Sequence, residues 1–313
     1  MKDCRTLFRK LHGPVNAPRG VEHRQIAALH APPLHGKTGE PAIALLFQMT
    51  RSSLFSPFEI LDGDRTKGLV LVADHAFNDL PDEYGDLGLD PAEFQRHIAY
   101  DIGVEMVMRQ LSASTRAPGV MARFSRLLID PNRGPDDPTL IRQLYDGTVI
   151  PGNYPMSAQE RRRRVESFYE PYHDAVAAMV ASVASASGRA PLVISIHSFT
   201  PFMQGRERPW HIGILWDRDS RAVKPLIEAL SEAPGIVVGD NEPYDGALRG
   251  DTMFRHCTAN GFAHALIEIR QDLVVAESGA AEWAERLAPI LDDLNERPDM
   301  HEVKFFGSRT GPI

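Results

Sequence analysis

PLVISIH, residues 191–197, is a run of β-branched and large apolar residues that ends on a histidine. Its length and composition are those of a buried strand, with His197 emerging at the strand tip. Five further runs repeat the pattern. They are LVLVADH ending at His75, FSRLLIDPNR ending at Arg133, HIGILWD ending at Asp217, IVVGDNE ending at Glu242, and ALIEIR ending at Arg270 with Glu268 just inside. Open α/β sheets bind ligands outside the carboxyl ends of their strands. Six strand ends carrying His, Asp, Arg and Glu therefore predict one shared site, which a purely structural protein would not need.

The chain around these runs is ordinary in bulk. Its 313 residues are 43% hydrophobic, enough for one large α/β domain, or two small ones, with a full core. Net charge is -8 and no long basic run occurs. The cluster Arg161–Arg164 is flanked by Glu160 and Glu166 and reads as a solvated helix face rather than a nucleic-acid patch. Two cysteines exclude a disulfide framework and a cysteine-rich zinc module, and point to a reducing compartment. No apolar stretch approaches the roughly 20 residues of a membrane span, and the start lacks the order of a signal peptide. The expectation is a cytoplasmic protein, monomeric or a small homo-oligomer, acting on a small molecule rather than on nucleic acid or membrane.

Residues 1–48 show no sustained period, and we expect a disordered extension or a start at Met49, with 49–313 forming a single hydrolase domain. Beyond Met49 strands and helices alternate. A strand over 69–75 leads through a Pro- and Gly-rich loop to a helix over 91–112. Asp90 is the expected N-cap, with Pro91 at the first position. A strand over 123–130, two loops rich in Gly, Pro and Asn (DPNRGPDDP and DGTVIPGNYP), and a long helix over 156–186 follow. The order predicts a three-layer α/β fold, with a mixed, mainly parallel sheet flanked by helices.

Several residues carry chemistry. His75 and His197, each at a strand tip followed by a quick turn, are either hydrogen-bonded structural histidines or metal ligands meeting at one point. Asp74, beside His75, could orient the second nitrogen of that imidazole. Glu268 interrupts an apolar strand, so its carboxylate needs a cation or a metal nearby. Either it pairs with Arg270 on the same face, or it acts as a general base. Asp101 follows His97 by one helical turn and could add a third ligand or accept a hydrogen bond from a ligating imidazole. Arg133 and Arg208 suit bidentate recognition of carboxylates, and His211 could line the same cleft as Arg208. Asn153 is a turn former or a substrate contact, and Tyr244 contacts substrate or caps its loop.

At these residues the chain resembles the N-formylglutamate amidohydrolase family. The likeness rests on DHAFNDLP with GDLGL after it, HIAYDIG, DPNR, DGTVIPGN, IHSFTP, RPWHIGILWDRD, NEPYDG and IEIRQDL, in that order across roughly residues 56–272. The family looks like a relative of the zinc carboxypeptidases and aspartoacylases. That implies a fold of the zinc-exopeptidase type and a single zinc hydrolysing an N-acyl amino acid. N-formyl-L-glutamate leads, with formate and glutamate as products, a reaction consistent with histidine catabolism. Carried over, the resemblance implies His75 and His197 as zinc ligands, Glu268 as the base and Arg133 as a polarising or carboxylate-binding group. It leaves Arg208 and Arg270, with Asn153 and Tyr244, for the substrate. Asn78 stands where the carboxypeptidase pattern has a glutamate ligand, so Asp101 is the first candidate to complete the shell.

Overall fold

The computed structural model describes residues 55–312, and the expectation for 1–48 lies outside the described residues. A seven-stranded sheet forms the middle of the fold. Its strands are β1 (Phe58–Leu61), β2 (Leu69–Ala73), β3 (Gly119–Ala122), β6 (Leu192–Phe199), β9 (Ile212–Leu215), β10 (Val238–Asp240) and β11 (His264–Arg270). Two short hairpins pair β4 (Leu144–Tyr145) with β5 (Thr148–Val149), and β7 (Phe202–Met203) with β8 (Arg206–Glu207). The sheet order is β1-β3-β2-β6-β11-β9-β10. Four neighbouring pairs are parallel and two, β1 with β3 and β11 with β9, are antiparallel. The sheet is therefore mixed and mainly parallel, as expected.

All five residues of β2 and all eight of β6 are buried, which is why these segments read as continuous apolar runs rather than alternating ones. One sheet face carries Leu69, Leu71, Ile194, Ile196, Ala265, Ile267 and Ile269 into a core shared with the helices Val104–Thr115, Val223–Ser231 and Glu277–Asn295. The helix Glu170–Ser187 packs against β2 and β3. Side chains alternate along a strand, so Ser195, His197, Leu266 and Glu268 point away from that core.

Three expectations need correction, each for a local reason. The helix placed at 91–112 is a five-residue 3-10 turn, Pro91–Gln95, followed after a break by the α-helix Val104–Thr115. Asp90 does cap the turn, accepting from the Ala92 N–H at 2.8 Å. The break ends at Gly103, whose φ of +84° is left-handed; a Cβ there would overlap the Val274 carbonyl. The strand placed at 123–130 sits at 119–122 instead. Phe124, Leu127, Leu128 and Ile129 are fully buried, but in loop, where the backbone N–H groups of Ser125, Arg126 and Asp130 donate to the Asp79, Ala99 and Leu140 carbonyls. A short apolar run does not distinguish a strand from a buried loop. Third, Arg164 of the four-arginine cluster is not solvated. It is 2% exposed. It pairs with Glu160 and donates to the Leu128 carbonyl, the Gly152 carbonyl and the Asn153 side chain. The long helix expected over 156–186 is present as Ala158–Arg164, a π-turn and Glu170–Ser187.

Candidate active site

The break before Gly103 delivers Asp101. It is not on a helix face with His97, as the spacing had suggested. Its backbone N–H donates to the His75 carbonyl at 2.8 Å, and the segment holds its carboxylate between two imidazoles. Asp101 Oδ2 lies 2.8 Å from His197 Nδ1 and 3.5 Å from His75 Nδ1. The three side chains are buried, and one ligating atom from each lies within 4.8 Å of the others. The imidazole centroids are 5.1 Å apart.

The outer nitrogens are also fixed. His75 Nε2 meets Asp130 Oδ1 at 2.7 Å, and His197 Nε2 meets Asp74 Oδ2 at 3.1 Å. Asp74 is held in turn by the hydroxyls of Tyr172 and Thr252, which donate to its other oxygen at 2.8 and 2.5 Å. Arg126 donates to Asp101 Oδ1. Each histidine is thus gripped by a carboxylate on the side away from the cluster, the arrangement that sets the tautomer of a metal-ligating imidazole. Asp74, in the turn after β2, hydrogen-bonds His197 of the neighbouring strand β6 and not its sequence neighbour His75.

Glu268 sits beside His197 in register across the parallel pair β6–β11. It is buried, and its Oε2 has no hydrogen-bond partner among the described residues. The same holds for His75 Nδ1 and Asp130 Oδ2. Buried polar atoms are rarely left so; His75 Nδ1 faces the donor group, whereas Asp130 Oδ2 lies behind His75. Burial lifts the Glu268 carboxyl to about 7, the range of a general base. Burial would also raise Asp101 and Asp74. For Asp101 the charges of Arg126 and His75 and the histidine hydrogen bonds together outweigh it, leaving the carboxyl well below the usual range; for Asp74 the His197 hydrogen bond, the two imidazole charges and the Thr252 hydroxyl together bring it to about 2. Burial would lower His197, but the bonds from Asp101 and Asp74 raise it to about 10, so a cation between these groups is electrostatically welcome. Two imidazole nitrogens and a carboxylate oxygen are the donor types and number that catalytic zinc sites use, leaving one open position.

On the other side of Glu268, Gly213 of β9 lies opposite it in the antiparallel register. A Cβ on Gly213 would overlap the Glu242 carbonyl oxygen. The missing side chain lets the segment NEPYDG cross the sheet here. Tyr244 on that segment accepts from Arg208 Nη1 at 3.0 Å, and burial with the nearby Glu268 charge lifts its phenol to about 12. Arg208 is buried and also donates to Thr200.

Other expected residues are placed differently. Asn78 is engaged away from the donor group, its amide nitrogen donating to the Phe94 carbonyl at 2.7 Å; Asp101 completes the group without it. Asn153 is fully buried. Its amide donates to the Leu127 and Arg142 carbonyls and its oxygen accepts from Arg164, so it has nothing left for a substrate and braces the loop instead. Arg270 pairs with Asp272 and not with Glu268. His211 accepts from the Val237 N–H beside β10 rather than lining the cleft. Arg133 donates to its neighbour's carbonyl, and its charge acts on Asp130 and Asp251. Asp130 and Arg126 carried no distinguishing pattern beyond a place in one polar-punctuated run, FSRLLID.

A buried three-donor group beside an orphaned carboxyl, on the central strands of a mixed α/β sheet, is a centre of a kind hydrolases use and able to hold a metal. A profile of the N-formylglutamate amidohydrolase family matches residues 67–275, and the chain belongs to that family of amide-bond hydrolases. Among solved structures, it is similar to a gene product of Agrobacterium tumefaciens at 34% identity and TM-score 0.71, covering 77% of this chain and 96% of that one. It shares the fold of an N-formylglutamate amidohydrolase from Ralstonia eutropha JMP134, at 23% identity and TM-score 0.60, covering 77% and 98%. No curated protein matches the chain.

Proposed function

We propose that this protein hydrolyses N-formyl-L-glutamate to formate and L-glutamate at a centre holding one divalent metal, zinc by its donor set. The observation that carries this reading is the His75–Asp101–His197 group with the unpartnered Glu268 carboxyl beside it. When bound there, the metal would supply a Lewis acid. Glu268 takes a proton from the attacking water as its oxygen bonds to the formyl carbon. It returns that proton to the amide nitrogen as the C–N bond breaks, so glutamate leaves as a neutral amine. Asp130 and Asp74 hold the two imidazoles in place throughout, and Asp101 receives the Arg126 charge. Arg133 is assigned to the developing oxyanion, and Arg208 with Tyr244 to the α-carboxylate. Arg270, already paired with Asp272, is the least available guanidinium. Among the described residues no helix is long and apolar enough to cross a membrane. With two cysteines in the chain, a cytoplasmic setting fits this chemistry.

The test is formate release from N-formyl-L-glutamate by the protein as purified, after chelation, and after zinc is returned. Turnover that chelation abolishes and zinc restores is expected. Folded, zinc-loaded protein without turnover would overturn the reading.

A further inference from the structure

Glutamate carries a second carboxylate, and the assignments above provide nothing for it. The hairpin β4–β5 does. Arg142, just before it, lays its guanidinium over the Tyr145 ring, 4.4 Å from the centroid. The Arg142 Nε–H is buried and has no hydrogen-bond partner among the described residues. The Tyr145 hydroxyl lies 3.3 Å from Arg126 Nη1, and the Arg126 Nε–H is likewise buried without a partner. Arg126 in turn holds Asp101 of the donor group, so this aromatic ring stands between the centre and Arg142. The charges of Arg126 and of Arg208, which donates to Tyr244, both act on Glu268. Arg142–Tyr145–Arg126 and Arg208–Tyr244 therefore form two cationic, aromatic walls on the approach to Glu268.

The backbone of Arg142 is pinned. Its carbonyl accepts from the buried Asn153 amide at 2.6 Å, and Asn153 is held by the buried Arg164. The hairpin closes on Asp146-Gly147, both at positive φ, as a two-residue turn requires. It is tied down where Arg96 donates to Thr148 at 2.7 Å and Thr148 to Glu93 at 2.8 Å. A half-buried guanidinium stacked on a ring, with its backbone fixed, is preorganised to present its terminal Nη groups to a carboxylate.

We infer that Arg142, backed by Tyr145, receives the side-chain carboxylate of the N-acyl amino acid and sets the preference for an acidic residue. This rests on the amidohydrolase reading and goes beyond it by naming the residue that selects the substrate. The experiment compares kcat/KM for N-formyl-L-glutamate and N-formyl-L-glutamine in the parent, Arg142→Gln and Arg142→Lys. The glutamate-to-glutamine ratio is expected to fall about 10- to 100-fold in Arg142→Gln, with KM carrying the change, and by less in Arg142→Lys. A ratio equal to the parent's in both variants overturns the inference. If the parent turns over neither substrate, the functional reading has failed on its own, and glutarate binding to the zinc-loaded protein takes over as the test. Glutarate held at least about 10-fold more weakly by Arg142→Gln sustains the subsite. Equal affinity, or no binding to the parent, ends it.

Discussion

Replacing Glu268 by glutamine separates chemistry from stability. The carboxyl titrates near 4.5 when the chain is unfolded and near 7 in the fold, where burial penalises its charge. Between those pH values the unfolded chain binds fewer protons than the native one. The parent's stability therefore falls as pH rises through this window and stays reduced above it. The gap corresponds to about 3 kcal/mol as an upper figure, part of which the glutamine amide gives back because the orphaned Oε2 position offers it no partner. Glutamine cannot ionise, so Glu268→Gln is expected to match the parent near pH 4.5 and exceed its stability by one to a few kcal/mol at pH 8. Chemical denaturation of chelated protein reads this without a bound cation adding its own charge. The same variant, zinc-loaded, is expected to lose at least about 100-fold in kcat because Asp101 and Asp74, the other carboxylates beside His197, are held too acidic to carry the proton. Near-parent turnover would refute the base. A variant less stable than the parent at both pH values would show that the carboxyl has a structural partner, and the reasoning from its unsatisfied oxygen would fail.

Two other substitutions test the supports of the site. Asp130→Asn removes the charge that fixes His75 Nε2 at 2.7 Å and is expected to weaken zinc binding about 10- to 100-fold with the fold intact, read by competition with a chromophoric chelator. Gly213→Ala pushes a methyl group into the Glu242 carbonyl. It is expected to cost about 1–3 kcal/mol of stability, visible as a drop in Tm, and to lower kcat/KM by displacing Tyr244. An alanine variant with parental Tm and activity would mean that the NEPYDG segment does not depend on close contact there.

The sheet was legible because its inner strands are buried on both faces. LVLVA and LVISIHSF are apolar almost throughout, and ALIEIR is broken before its terminal arginine only by Glu268. His75, His197 and Glu268 could be picked out for that reason, since each is a polar residue where packing alone would place an apolar one. The supports were not legible. Asp130 sits in FSRLLID, a run whose apolar residues fill a buried loop, and periodicity does not tell that loop from a strand. Asp101 was noticed, but through a helical spacing that does not exist; what presents it is the break at Gly103. Asn153 and Arg164 looked like a turn and a charged face. They are instead a polar core beneath the loop, a pairing between residues 11 apart in sequence that no local pattern announces. Asp74 was assigned to the wrong histidine because adjacency in sequence is not adjacency in space.

His75, Asp101 and His197 come from segments far apart in the chain, with 96 positions between the last two. A chain that has not yet placed β6 holds only two of the three donors, His75 and Asp101. Full capture of an ion at this group would then be a late event, conditional on β2, β6 and the turn before Gly103 having come together. Such an ion would not be the template for the whole fold, as it is in small zinc domains. It would report completion, and its binding energy would add to the finished structure, guarding it against reopening.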